Sequence, residues 1–195
     1  MTQTVPIVLT PKRFADYRGW FSETYHEQRL HDLGISCRFV QDNQSYSKQA
    51  GTIRGFHFQR PPAAQAKLIS VINGRILDVA VDIRHGSPTY GRNVSAELSS
   101  DNGRQFFVPA GFAHAFLTLE DNVTVAYKVS AHYAPTCEDG LSWNDPQVAF
   151  SWPFDLSRVT IAQRDLSFRP LDELQSPFIY DGVALESQPP VEIAL

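Results

Sequence analysis

Several features are scarce in this sequence, and each scarcity closes off a class of function. Only 2 cysteines and 1 methionine occur in 195 residues. Cys37 and Cys137 stand alone, without the C-x-x-C spacing of zinc or redox sites, so two unpaired thiols in a reducing compartment are expected. No run of Lys and Arg is present and the net charge is -4, the wrong sign for a phosphate backbone, so nucleic acid is not an expected partner. No segment approaches the roughly 20 apolar residues of a membrane helix. The opening "MTQTVPIVLTPKRF" also lacks a charged start followed by a long apolar run, so a soluble, cytoplasmic protein with no membrane partner is expected. The glycine patterns of P-loops and dinucleotide folds and the G-x-S-x-G elbow are missing too.

What is present is 43% apolar residues in a chain long enough for one sizeable core. A single domain is expected over residues 1–175. Residues 176–195, with Pro177, Pro189 and Pro190, read as an extended arm or partly ordered tail. Turn signals recur at Asn73-Gly74, Arg84–Pro88, Asp101–Gly103, Pro109–Gly111 and Asp139-Gly140, separated by short runs rich in Val, Ile, Phe, Thr and Tyr. That spacing predicts an all-β sandwich or barrel.

In Arg75–Ile83 the alternation puts Leu77, Val79, Val81 and Ile83 on one face, and Asp78 and Asp82 on the other, as in a half-buried strand. Val123, Val125, Tyr127 and Val129 repeat the pattern. Helical signal is confined to "YHEQRLHDLG" from Tyr25 and to "LDELQS" after Pro170.

Certain strands carry side chains that are costly to bury. His57 lies in "TIRGFHFQ", where alternation groups it with Ile53, Gly55 and Gln59 and sends Arg54 to the opposite face. Gly55 is a natural place for a bulge that would reunite Arg54 and His57. Lys67 alternates with Ile69 and Val71, and His114 enters an apolar strand after a Pro-Gly turn. Each has a structural reading when taken alone: a paired core histidine, an edge lysine, a tyrosine whose hydroxyl finds a partner. Together, His57, Lys67, His114 and Tyr127 would be four polar exceptions on the inside of one barrel. Unpaired buried polar groups cost about 1–3 kcal/mol each, so one shared cavity accounts for them at lower cost. A metal site is not expected, because position 59 is Gln where an H-x-H spacing would need His.

The ordered blocks "DYRGWFSETY", "FVQDNQS", "IRGFHFQRPPAAQAKLI", "GRILDVAVDIRHGSPTYG", "VPAGFAHAFLTL", "AYKVSAHYAP" and "LSWNDP" resemble the dTDP-4-dehydrorhamnose 3,5-epimerase family from about Pro11 to about Asp165. The resemblance implies a cupin-type double-stranded β-helix (a jelly-roll barrel) working without metal or cofactor on a dTDP-linked 4-keto-6-deoxy sugar. Carried over by position, it makes His57 the general base, Tyr127 the general acid, Asp165 the carboxylate paired with the base, and Lys67 the cation at the C4 oxygen. It assigns substrate contacts to Arg18, Phe21, Glu23, Gln41, Asn43, Arg54, Gln59, His114, Tyr133, Glu138 and Arg164. It also implies a homodimer in which the N-terminal strand with Arg18 and Glu23 is exchanged.

The residue types suit the chemistry. A proton beside a ketone leaves only if a base is held against it and the enolate oxygen is stabilised, and inversion needs a different donor on the opposite face. Gln44, Ala66, Ala115 and His132 depart from the family's usual His, Gly, Gly and Tyr. Relatives act at C3 and C5, at C3 only, or at C5 only. A binding protein without catalysis is the alternative from another class.

Overall fold

The computed structural model describes residues 3–185 and 192–195. In chain order the elements are β1 (Ile7–Thr10), β2 (Arg13–Asp16), β3 (Gly19–Ser22), α1 (Glu27–Asp32), β4 (Gln41–Ser47), β5 (Thr52–Gln59), β6 (Lys67–Asn73) and β7 (Arg75–Asp82). They continue with β8 (Asn93–Ser99), β9 (Gln105–Val108), β10 (Phe112–Thr118), β11 (Val123–Val129), β12 (Glu138–Gly140), β13 (Thr160–Ile161), α2 (Gln163–Leu166) and β14 (Glu192–Ala194). One sheet runs β14-β1-β9-β6-β11-β4, and the other runs β12-β5-β10-β7-β8 with β13 beside β5. This is the all-β, two-sheet barrel that the spacing of turns and the resemblance imply.

Three apolar layers follow from where the strands face. Between the sheets lie Ile69, Val71, Ile76, Ala80, Phe106, Phe112, Phe116, Val123 and Val125. Behind the first sheet, Leu30 and Ile35 from the α1 region pack on Ile7, Leu9, Leu68 and Phe107. Behind the second, Leu141, Val148, Trp152, Leu171 and Leu174 cover Ile53, Val79, Val81, Ala113 and Leu117.

That last layer corrects the half-buried reading of β7. Both of its faces are covered: Val79, Val81 and Ile83 point to the outer layer, while Asp78 and Asp82 lie with Ile76 and Ala80 on the side facing the barrel, all of these fully buried. The aspartates survive there because they are paired. Asp82 takes Arg84, Ser87 and Thr89 as donors, with Arg84 also bound to Asp181 of the tail. Alternation shows that two faces differ, but it does not say which one the core of the barrel owns.

The short helix falls where expected, at α1, and Gly34 follows it at φ +85°. The segment after Pro170 forms only a 3-10 turn, Leu171–Glu173. Residues 176–185 of the tail run along the second sheet, with a bridge from Ile179 to His85, and β14 pairs in parallel with β1. Pro189 and Pro190 lie outside the described residues. Cys37 and Cys137 are free thiols.

β5 departs from regularity where the sequence suggested. Opposite β10, His114 pairs with His57 but Phe116 pairs with Arg54, so three steps on β5 match two on β10. The additional residue sits at Gly55–Phe56. Gly55 adopts φ +114°, and a Cβ there would collide with the His114 carbonyl oxygen and with Ala115. Gly55→Ala is therefore expected to destabilise the protein by about 2–4 kcal/mol. Gly86→Ala, at φ +81° but with nothing near its Cβ, should cost only about 1 kcal/mol. Urea unfolding of the pair checks this; equal losses would mean that the β5–β10 contact is not tight.

Candidate active site

The bulge turns Arg54 and His57 into the same cavity of about 580 Å³, which opens between the two sheets and is also lined by Lys67, His114, Tyr127, Asp165, Gln41, Asn43, Glu138 and Arg164. A cavity of this size suits a small organic ligand. Its walls come from both sheets: His57 and Arg54 from β5 and His114 from β10 on one, Lys67 from β6 and Tyr127 from β11 on the other.

His57 is organised by a residue 108 positions away. Its Nε2 lies 2.9 Å from Asp165 Oδ1, and the other carboxylate oxygen accepts the Gly55 N–H at 3.1 Å. The bulge takes the Gly55 N–H out of the ladder, and Asp165 satisfies it. Burial pushes the His57 imidazole below its ordinary value, and the hydrogen bond and charge of Asp165 only partly oppose this. For Asp165, burial alone would raise the carboxyl, but the bond to His57, the charge of His57, the Gly55 N–H and Arg164 together hold it below the usual range. The result is an ionised acceptor at Nε2 and a neutral imidazole whose Nδ1 carries the lone pair.

Lys67 is buried and donates to the His57 carbonyl oxygen at 3.2 Å. Loss of hydration lowers its pKa to about 8, with Asp78 and Glu138 pulling the other way. Tyr127 is raised above 10, chiefly by burial, so its phenol is protonated at neutral pH. His114 Nε2 is 2.5 Å from Asp78 Oδ1, a second buried His–Asp pair. Alternation had set Asp78 on the face away from the apolar side chains, and nothing local in the sequence distinguishes its buried, paired carboxylate from a hydrated one.

The remaining candidates divide. Arg54 is held to β4 through Ser47 Oγ at 3.2 Å and the Tyr46 carbonyl at 2.9 Å. Arg164 binds Glu138 and Asp165, and the Tyr133 hydroxyl donates to Glu138 at 2.7 Å, which forms a charged rim. Gln41 accepts the Tyr133 N–H and donates to Asn43. Gln59 lines the cavity, but its amide is committed to Ala63, His132 and Ala134, so it shapes the wall.

Arg18, Phe21 and Glu23 lie outside this cavity. Arg18 and Phe21 belong to the exposed β2–β3 ribbon, with Arg18 paired to Asp16, while Glu23 pairs with Arg29 at 3.0 Å. Among the described residues no group of three His, Cys, Asp or Glu side chains gathers as a metal site would require. None of their helices is long and apolar enough to cross a membrane.

A sequence profile of the dTDP-4-dehydrorhamnose 3,5-epimerases matches residues 5–173. The dTDP-4-dehydrorhamnose 3,5-epimerase of Sinorhizobium fredii is 46% identical over 173 residues, 89% of this chain and 88% of that one. The crystal structure of the dTDP-4-dehydrorhamnose 3,5-epimerase of Bacillus anthracis with TDP and PPi bound superposes with a TM-score of 0.82 at 45% identity, over 85% of this chain and 93% of that one. That of dTDP-6-deoxy-D-glucose-3,5-epimerase from Legionella pneumophila in complex with dTDP-4-keto-L-rhamnose gives 0.83 at 41% identity, over 89% and 93%. With its two-sheet barrel and a cavity lined by two histidines, a lysine and a tyrosine, this chain is an isomerase that belongs to the dTDP-4-dehydrorhamnose 3,5-epimerase family.

Proposed function

We propose that the cavity inverts C3 and C5 of a dTDP-linked 4-keto-6-deoxyhexose, with His57 as base and Tyr127 as acid. The observation that carries this is the opposition of the two groups: the His57–Asp165 pair stands on β5 and α2, and Tyr127 on β11 of the facing sheet. His57 Nδ1 takes the proton from the carbon beside the ketone. The C–H electron pair becomes the enolate, and Lys67 places its ammonium at the C4 oxygen. Tyr127 then delivers its phenolic proton to the same carbon from the other face. The imidazolium and phenolate left behind recover through exchange with solvent. Arg54 and the Arg164–Glu138 rim suit the charged diphosphate and nucleoside end, which anchors the sugar without joining the reaction.

In deuterium oxide the wild-type protein should place deuterium at both C3 and C5 of dTDP-4-keto-6-deoxyglucose, followed by NMR. Label at one carbon would redefine it as a mono-epimerase, and label at neither would remove the assignment. His57→Asn should abolish exchange, and Tyr127→Phe should slow turnover by about 10²–10⁴-fold while leaving dTDP binding intact.

The pH dependence has a definite sign. His57 must be neutral and its pKa is lowered, so kcat/KM should hold down to below about pH 6.5 before falling. Lys67 must be charged and titrates near 8, so the basic limb belongs to it and not to Tyr127, whose pKa lies higher. Asp165→Asn removes an influence that raises His57 and should shift the acid limb to still lower pH while reducing kcat. A shift to higher pH would contradict the pairing.

The working form on this reading is a homodimer that exchanges the N-terminal strand. The ribbon of β2 and β3 stands apart as its own two-stranded sheet and exposes Phe14, Tyr17, Trp20 and Phe21, while β4 is, among the described residues, one of the two edge strands of the first sheet. Substituting Trp20 and Phe21 together with Ser should shift the protein to monomer by light scattering and weaken dTDP binding, because Arg18 and Glu23 travel on the same segment. A variant that stays dimeric with full affinity would sink this part.

A further inference from the structure

A single hydrogen bond at Nε2 does not fix an imidazole, because the ring can still swing about it. The face of His57 is closed by a different device. In the pairing of β5 with β12, Gly140 is the direct partner of His57. With no side chain at that register a slot opens beside the imidazole, and Phe168 occupies it. A Cβ on Gly140 would lie only 2.5 Å from Cδ2 and Cε2 of the Phe168 ring. The Phe168 and His57 rings meet edge to face, with centroids 5.6 Å apart and planes at 77°.

The chain around Phe168 is anchored on both sides. It follows α2, whose Asp165 binds the same imidazole. Just beyond it, the Arg169 carbonyl accepts the Ser142 N–H at 2.9 Å, and the Leu171 N–H donates to Asp145 Oδ2 at 2.7 Å. Asp165 and Phe168 thus reach His57 from one short segment, the first at a ring nitrogen and the second at the ring itself.

We propose that Phe168 is a positioning residue for the epimerisation: seated in the slot left by Gly140, it fixes the plane of the His57 imidazole and keeps water off it. The inference rests on His57 being the base. The charged and titratable groups facing His57 are Asp165 and Arg164 from α2, Lys67 from β6 and His114 from β10, with Glu138 and Tyr127 lining the same cavity. Burial is the largest influence on His57 and lowers it, Asp165 raises it, and Lys67 and Arg164 lower it. Removing the Phe168 ring leaves every charge in place and weakens only the burial. His57 must then titrate at higher pH, and the acid limb of kcat/KM must move up with it. A residue that merely stabilised the fold would change the amount of folded protein and leave both unmoved.

The test is an NMR titration of the full chain carrying ¹³C-labelled histidine, with His57→Asn to assign the resonance, alongside pH profiles. Phe168→Ala should raise the His57 midpoint and the acid limb by about half a pH unit or more. It should also lower kcat about tenfold, with dTDP affinity unchanged by calorimetry. Phe168→Leu should shift both in the same direction by less, and Phe168→Tyr should restore the wild-type midpoint. A folded Phe168→Ala protein with the wild-type His57 midpoint overturns the proposal. If that variant does not fold, an unshifted Phe168→Leu does the same. The titration needs no turnover, so it is separable from the base assignment, which falls instead if His57→Asn still exchanges deuterium.

Discussion

The site depends on one additional residue in β5. A regular strand would send Arg54 and His57 to opposite faces, and the cavity would lose one of them. The bulge at Gly55–Phe56 brings both inward and frees the Gly55 N–H from the β10 ladder. That freed donor and the His57 ring together define the seat of Asp165, which accepts from both. The tolerance for such a bulge is narrow, because Gly55 lies against the backbone of His114 and Ala115 with no room for a Cβ. A local backbone event thereby fixes the geometry of three side chains at once.

The second condition is dryness. The sheet carrying His57 is covered on its outer face by the segment from Leu141 to Leu174, and the opposite sheet is backed by α1 and its neighbours. Burial on this scale shifts three groups in directions that suit proton transfer at neutral pH. It keeps the imidazole neutral, brings the Lys67 ammonium down to about 8, and holds the Tyr127 phenol protonated. Asp165 resists the same pressure only because its donors outweigh the loss of water. One environment thus leaves an imidazole, an ammonium and a phenol in different states, and what separates them is their partners.

Much of the barrel was legible because apolar alternation and turn residues act over a few positions. The intrusions of His57, Lys67, His114 and Tyr127 into apolar strands were legible for a related reason: burying them singly is expensive, so they had to share a space. β7 misled on this point. Its Asp78 and Asp82 mimic a solvent face, yet both are buried, because Asp78 bonds His114 and Asp82 bonds Arg84. Alternation reports that two faces differ in polarity, and a paired carboxylate inside a barrel has the same signature as a hydrated one outside.

Residue order alone was enough for the all-β class, the bulge-forming glycine and the chemical types gathered in the cavity, since each rests on propensity or on the cost of burial within a short window. Its local patterns could not supply the relations that span the chain, and the pairing of Asp165 with His57 was legible only through the family resemblance. Asp165 meets His57 across 108 positions, and Phe168 enters the slot that Gly140 leaves opposite His57 in a strand pairing. Those contacts exist only once β5, β12 and the segment after α2 are packed together, because strand register and long-range packing carry no local periodicity from which to read them.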